Sequence, residues 1–140
     1  MASNKFKMII GLFLVAVSGL LVALYYYNKP HIDVKESEAV YVLTAQNLIN
    51  EYRDNEKYTN RKYSETVIQV KGKVFEISTL KGNSVITLKG EGHESSIICH
   101  MLPEDNYRTL QFKKGDEINI KGICTGFLMD VIMVRCTLVD

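Results

Sequence analysis

The sequence predicts a mainly β protein with short N-terminal helices: a five-stranded, OB-fold-like barrel behind an N-terminal transmembrane helix. Three observations predict it. Residues 8–27 read MIIGLFLVAVSGLLVALYYY, twenty positions without a charge. Between Thr66 and Val139, five segments alternate apolar and polar side chains with period two, separated by turns rich in glycine. The first of these segments slips its alternation by one residue close to a glycine, as a strand does at a β-bulge.

Composition sets the outer limits. A chain of 140 residues has room for one ordinary domain, and 46% hydrophobic with 24% charged residues is the balance of a folding chain. Seventeen basic residues against sixteen acidic ones exclude a histone-like basic protein and an acidic solvating tail. Three cysteines are too few for a disulfide-stapled scaffold.

Taken in order, residues 1–7 form a cytoplasmic N-terminus carrying Lys5 and Lys7. Residues 8–27 follow as a transmembrane helix, long enough at about 1.5 Å per residue to cross the ~30 Å hydrocarbon core. Tyr25, Tyr26 and Tyr27 stand where an aromatic belt meets the headgroups, and the lysines on the N-terminal flank favour a single-pass topology in the cytoplasmic membrane, N-terminus inside and C-terminal domain outside. The alternatives are a buried core helix, against which the absence of a polar face counts, and a cleaved signal, for which Ala16-Val17-Ser18 is the best site. A lipoprotein signal needs a cysteine just after the apolar run, and the first here is Cys99. With Lys5 and Lys7 set aside, residues 28–140 hold fifteen basic and sixteen acidic side chains, a slightly acidic domain.

Residues 28–43 are a linker that Pro30 keeps extended, with 39–43 (AVYVL) a short strand or an early helical turn. Residues 44–63 are a helical segment packing on the barrel. Thr44 is placed to cap the first helix, and Ala45, Leu48, Ile49 and Tyr52 share one face; Asp54 is placed to cap a second helix reaching about Lys62. Residues 64–140 are the barrel. Its first strand (TVIQVKGKVFEIS) turns Ile68, Val70, Gly72 and Val74 to one side before the phase slips at Phe75. Strands at 84–89 and 94–101 follow, then a polar crossover at 103–112, a strand at 117–124 with Ile118, Ile120, Gly122 and Cys124 on one face, and a last strand at 131–139 with Ile132, Val134, Cys136 and Leu138 on one side. Five strands interrupted once after the third describe an OB-type barrel. An echo between Ile68-Gln-Val-Lys-Gly72 and Ile118-Asn-Ile-Lys-Gly122 fits neighbouring first and fourth strands.

Several stretches also resemble the bacterial tRNA anti-like family: Asn28-Lys-Pro-His31, Thr44-Ala45, Val70-x-Gly72-x-Val74, and above all Lys121-Gly-Ile-Cys-Thr-Gly126 with Asp130-Val131 and Arg135-Cys136. The resemblance implies an OB-fold behind an N-terminal membrane segment and marks Gly72, Gly122, Cys124, Gly126, Asp130 and Cys136 as structural positions. It does not imply that the chain binds tRNA.

The chemistry legible in the sequence is sparse. Lys71, Lys73 and Lys121 share the outward phase of adjacent strands and form a possible polyanion-binding face; a solvated sheet surface is the plainer reading. Between Ser84 and Leu102 there is no aromatic residue on which a base could stack, and residues 64–140 carry nine basic side chains against ten acidic, so nucleic acid is not the favoured partner. With a turn centred between Phe127 and Leu128, Cys124 faces about Val131 and Cys136 about Asn119, too far apart to bridge. Cys99 and Cys136 come nearer; the choice there is between a bridge and small buried hydrophobes. Cys99 and His100 point to opposite faces and form no metal pair. Gly90-x-Gly92 lacks the rest of a phosphate loop, Asp116-Glu117 reads as turn and strand start, and His31 and His93 have no identifiable partner. No catalytic, metal or cofactor site is expected. The expected function is a membrane-anchored, non-enzymatic binding module facing outside the cytoplasm, bound to the bilayer through Met8–Tyr27 and to another envelope protein or a small ligand through the barrel. The alternatives are a nucleic-acid or anionic-polymer binder using Lys71, Lys73 and Lys121, and a thiol-dependent function through Cys99, Cys124 or Cys136.

Overall fold

The structure, a computed structural model, describes residues 3–92 and 94–140, so His93 lies outside the described residues. It divides into two compact units, Met1–Ile32 and Asp33–Asp140. The first is built on helix α1 (Asn4–Tyr27), which starts four residues before the uncharged run because Ser3 caps it by accepting from the Lys5 amide. None of its side chains is buried, and it is long and apolar enough to cross a membrane.

The second unit is the barrel. Its elements are β1 (Tyr41–Thr44), α2 (Ala45–Asp54), α3 (Glu56–Tyr63), β2 (Val67–Leu80), β3 (Asn83–Lys89), β4 (Ser96–Met101), a 3-10 turn (Pro103–Asp105) running into α4 (Asn106–Thr109), β5 (Glu117–Phe127) and β6 (Val131–Val139). The five strands β2 to β6 close as β2-β3-β4-β6-β5, with β5 returning to β2; all pairs are antiparallel except β4 with β6. This is the five-stranded OB-type barrel. The segment around 39–43 resolves as a strand: β1 runs parallel to β2, from Tyr41 opposite Ile68 to Thr44 opposite Lys71. The crossover expected at 103–112 holds the 3-10 turn and α4.

Thr44 Oγ1 accepts from the Asn47 amide and starts α2, whose buried face is Ala45, Leu48, Ile49 and Tyr52. The cap of α3 is Asn55 and not Asp54: the Asn55 side chain accepts from the Tyr58 amide, while Asp54 completes the last turn of α2. Neither helix is long enough to stand alone in water, so burial against the barrel holds both. Their buried side chains join Ile68, Val70, Ile86, Leu88, Ile97, Ile120 and Met133 in one core.

The phase slip in β2 is a bulge. Val74 pairs with Leu88 and Glu76 with Thr87, which leaves Phe75 extra. Two further bulges lie between β5 and β6, and they correct the expected register. Lys121 pairs with Thr137 but Ile123 with Val134, so Arg135 and Cys136 together face Gly122; Cys124 pairs with Met133 and Gly126 with Ile132. Cys136 therefore lies against Gly122 and not Asn119, which pairs with Val139, and Cys124 faces Met133 and not Val131. The inward set of β6 is Val131, Met133, Cys136 and Leu138, whereas Ile132 and Val134 are only half-buried. Arg135 takes φ +53°, and this local twist moves the alternation on by one.

Candidate functional site: a lysine-lined groove

The two Ile-x-x-x-Gly segments lie antiparallel, with Ile68 opposite Gly122 and Ile118 opposite Gly72, so each isoleucine stands opposite the other strand's glycine. At Gly72 the missing side chain makes room for a helix. A Cβ there would stand 2.9 Å from the Ala45 Cβ and 3.3 Å from Leu88 Cδ1, so glycine lets the first turn of α2 press onto β2. The outward strand residues on either side of it, Lys71 and Lys73, then form one wall of a groove. Thr44, Ala45 and Gln46 form another, and Lys89, Gly90 and Glu91 a third, with Glu117 beside Lys71; the volume is about 630 Å³.

Three ammonium groups and two carboxylates face one another here. Lys71 Nζ lies 2.6 Å from Glu117 Oε1, and Lys73 Nζ lies 3.8 Å from Glu91 Oε1. The hydrogen bond from Lys71 holds the Glu117 carboxyl below the usual carboxylate range. The Glu91 amide donates to Gln46 Oε1 at 2.6 Å and ties the β3–β4 connection to α2. Lys89 Nζ sits 4.6 Å from the Phe75 ring centre, and Lys114 Nζ reaches the same ring at the same distance. This aromatic ring thus holds two cations of its own. The start of α2 adds a partial positive charge to the three lysines. The lining suits a ligand with one anionic group that can displace or join the existing ion pairs.

Lys121 belongs to the same sheet face, opposite Gln69, yet it does not reach the groove. Its ammonium donates to the carbonyl oxygens of Lys35 (3.1 Å) and Ser37 (2.8 Å) and pins the linker to β5. The structure therefore brings Lys71 and Lys73 together, separates Lys121, and adds Lys89, Gln46, Glu91 and Glu117. Lys89 was recognisable from position: it ends a strand just before a Gly-x-Gly turn, opposite Lys73 once the hairpin register is known.

Cys124 Sγ and the Tyr52 hydroxyl share a hydrogen bond at 3.4 Å; burial pushes both the thiol and the phenol up. Cys136 is buried and its thiol is held well above the ordinary value, first by burial and then by its contact with Cys99. All three cysteines are free. Gly126 takes φ +138°, a conformation that favours glycine. Asp130 Oδ1 accepts from the Ser96 amide at 2.7 Å and the Ser96 hydroxyl at 2.8 Å, which fastens the β5–β6 hairpin to the start of β4. Asp116 and Glu117 divide as expected: Asp116 accepts from the Lys113 amide in the turn, and Glu117 opens β5. Among the described residues, no group of three or more His, Cys, Asp or Glu is placed to hold a metal ion.

The tRNA anti-like family model matches residues 1–138. The chain belongs to this family. Its tRNA anti-like barrel superposes on a candidate nucleic acid-binding lipoprotein of Klebsiella pneumoniae subsp. pneumoniae with a TM-score of 0.59 at 12% identity, covering 80% of this chain and 100% of the other. At that identity the likeness is one of fold. A chain of the S. pombe Stn1–Ten1 complex matches at TM-score 0.42 and 17% identity over 53% of this chain and 58% of its own. Asparaginyl-tRNA synthetase from Pyrococcus horikoshii matches at TM-score 0.41 and 8% identity over 56% of this chain and 21% of its own. No curated protein matches the tRNA anti-like chain in sequence.

Proposed function

We propose that this tRNA anti-like protein is a single-pass, membrane-anchored, non-enzymatic binding module, with its N-terminus inside and its barrel outside the cytoplasm. The anchor reading rests on α1, a 24-residue helix that is apolar from Met8 onward and carries Lys5 and Lys7 in its first turn. The binding reading rests on one observation above all, the groove of about 630 Å³ whose walls carry Lys71, Lys73 and Lys89. Its ligand is a small molecule or a segment of an envelope protein that presents an anionic group.

A second reading, an anionic polymer such as single-stranded nucleic acid, draws on the same three lysines. Against it stand the pairing of Lys71 and Lys73 with carboxylates and the two cations that already occupy the Phe75 ring. Salt separates the two readings. A strand making three phosphate contacts loses affinity with a slope of about −2 in log K against log salt. Titration of the full chain in nanodiscs with a short single-stranded RNA and with inorganic phosphate tests this. Flat, absent RNA binding at low salt removes the polymer reading. Phosphate binding that is lost in Lys71→Glu and Lys73→Glu supports the groove, and binding unchanged in both variants removes it.

A further inference from the structure

We infer that the groove takes a small molecule carrying two anionic groups, the second of which is held by Lys89 and Lys114 beside Phe75. This inference rests on the groove reading above and adds a second anion seat to it. The seat begins at the β2 bulge, where Phe75 is the extra residue and its side chain stays 39% exposed. Two segments bring a lysine to that ring. Lys89 ends β3, and its ammonium stands 4.6 Å from the ring centre. The turn before β5 is fastened beside the bulge, because the Gly115 amide donates to the Val74 carbonyl at 2.7 Å and the Val74 amide to the Asp116 carbonyl at 2.9 Å. Lys114, in that turn, thereby reaches the same ring at 4.6 Å.

The two carboxylates of the groove are engaged elsewhere: Glu117 pairs with Lys71, and Glu91 stands by Lys73. Among the described residues, neither Lys89 nor Lys114 makes an ion pair. Asp116 turns its carboxylate to the Lys113 amide, and Glu76, next to Phe75 in β2, pairs with neither lysine. A ring face attracts each ammonium through its quadrupole but carries no net charge. Two like charges therefore stand on one ring without a counter-ion. Such a pair, already brought together by the fold, can bind an oxyanion through charge-assisted hydrogen bonds.

Lys89 links this seat to the groove. It lines the groove and stands directly opposite Lys73 in the β2–β3 ladder, where facing Cβ atoms are about 5 Å apart. One anionic group can displace Glu91 from Lys73 while a second, a few bonds away on the same molecule, meets Lys89 and Lys114. Like charges directly opposite across a ladder repel. A ligand with two anionic groups relieves that repulsion as it binds.

Calorimetric titration of the full chain in phosphatidylcholine nanodiscs tests this with pentylphosphonate and pentamethylene bisphosphonate, which share one tail and differ by one anionic group. The bisphosphonate is expected to bind about tenfold or more tighter than the monophosphonate, as a second tethered contact does. Lys114 lies outside the groove lining, so Lys114→Gln is expected to abolish that gain and leave monophosphonate binding unchanged. Lys113→Gln removes the same charge from the neighbouring residue and is expected to keep the gain. Equal affinity for the two probes, a gain that survives Lys114→Gln, or a gain lost equally in Lys113→Gln overturns the second seat. In each of those cases the groove itself stands if monophosphonate binding is lost in Lys71→Glu and Lys73→Glu. If neither probe binds, the groove reading fails and the second seat fails with it.

Discussion

Gly122 and Cys136 occupy one slot in the barrel wall: a Cβ on Gly122 would lie 2.5 Å from the Cys136 sulfur. The β6 bulge pushes the cysteine into the space that β5 leaves empty. Gly122→Ala is expected to destabilise the barrel by about 1–3 kcal/mol, as overpacking of a filled core does. In a Cys136→Ala background the same substitution costs less, with a coupling of about 1 kcal/mol or more. Urea denaturation of the four chains in mild detergent measures the cycle, and additive costs would mean that the two residues do not share the slot.

Gly72 makes a comparable prediction at the groove. The Ala45 Cβ that a new methyl group would meet at 2.9 Å belongs to a backbone-anchored side chain that cannot swing away. Gly72→Ala should lift the first turn of α2 off β2 and lower stability by about 1–3 kcal/mol. Amide exchange should quicken at Ala45, Leu48 and Ile49 before it does in β5. Uniform acceleration would show that the glycine supports the whole barrel.

Tyr63 is fully buried except that its hydroxyl reaches Glu51, donating to the two carboxylate oxygens at 3.0 and 2.9 Å, while Lys62 bridges to the same carboxylate at 3.1 Å. This ties α3 to α2. Tyr63→Phe keeps the ring and removes the tie, with an expected loss of about 1–2 kcal/mol, since Glu51 retains contact with water. Thermal unfolding of the two chains checks the value.

A second polar anchor ties the 3-10 turn to β6. Thr137 Oγ1 donates to Asp105 Oδ2, and both residues are buried. Thr137→Val leaves a buried carboxylate with one partner fewer and should cost about 1–3 kcal/mol. A neutral outcome by chemical denaturation would mean that water replaces the hydroxyl.

Alkaline pH should weaken the fold. Burial raises the thiol values of Cys124 and Cys136 above their ordinary value of 9.0. Raised acids hold their protons in the folded chain and release them in the unfolded one. Their contribution is therefore complete below about pH 9 and falls as pH rises from there towards the folded values, because the unfolded state then binds fewer protons. Denaturation midpoints under reductant should fall between pH 8 and pH 10 by this mechanism, taking pH 8 and 10 as roughly one unit either side of the unfolded thiol value. Cys124→Ala with Cys136→Ala should flatten the slope, and an unchanged slope would assign it to other groups.

Which features were legible in the sequence follows from how strongly each residue prefers one environment. The uncharged run ending at Tyr27, the capped apolar face of α2 and the alternation in β2 all rest on local preference, and the Phe75 bulge was visible because large apolar residues stand on either side of the slip. The two bulges of the last hairpin were not, because Thr125, Gly126 and Arg135 are tolerated on either face of a half-exposed strand. Register decided where Cys136 went, and register depends on the partner strand.

Local sequence determined the elements, their order and the barrel they close into, since period and turn chemistry act over a few residues. Only the tertiary structure decided which of three lysines on one sheet face meet. Lys73 meets Lys89 through the register of β2 with β3, and Gly72 admits α2 beside Lys71 and Lys73 to close the groove, whereas Lys121 is taken up by the backbone carbonyls of Lys35 and Ser37, more than eighty residues away in the chain. Charge, cavity and partner at this site are set by contacts between distant segments, and strand parity alone does not encode them.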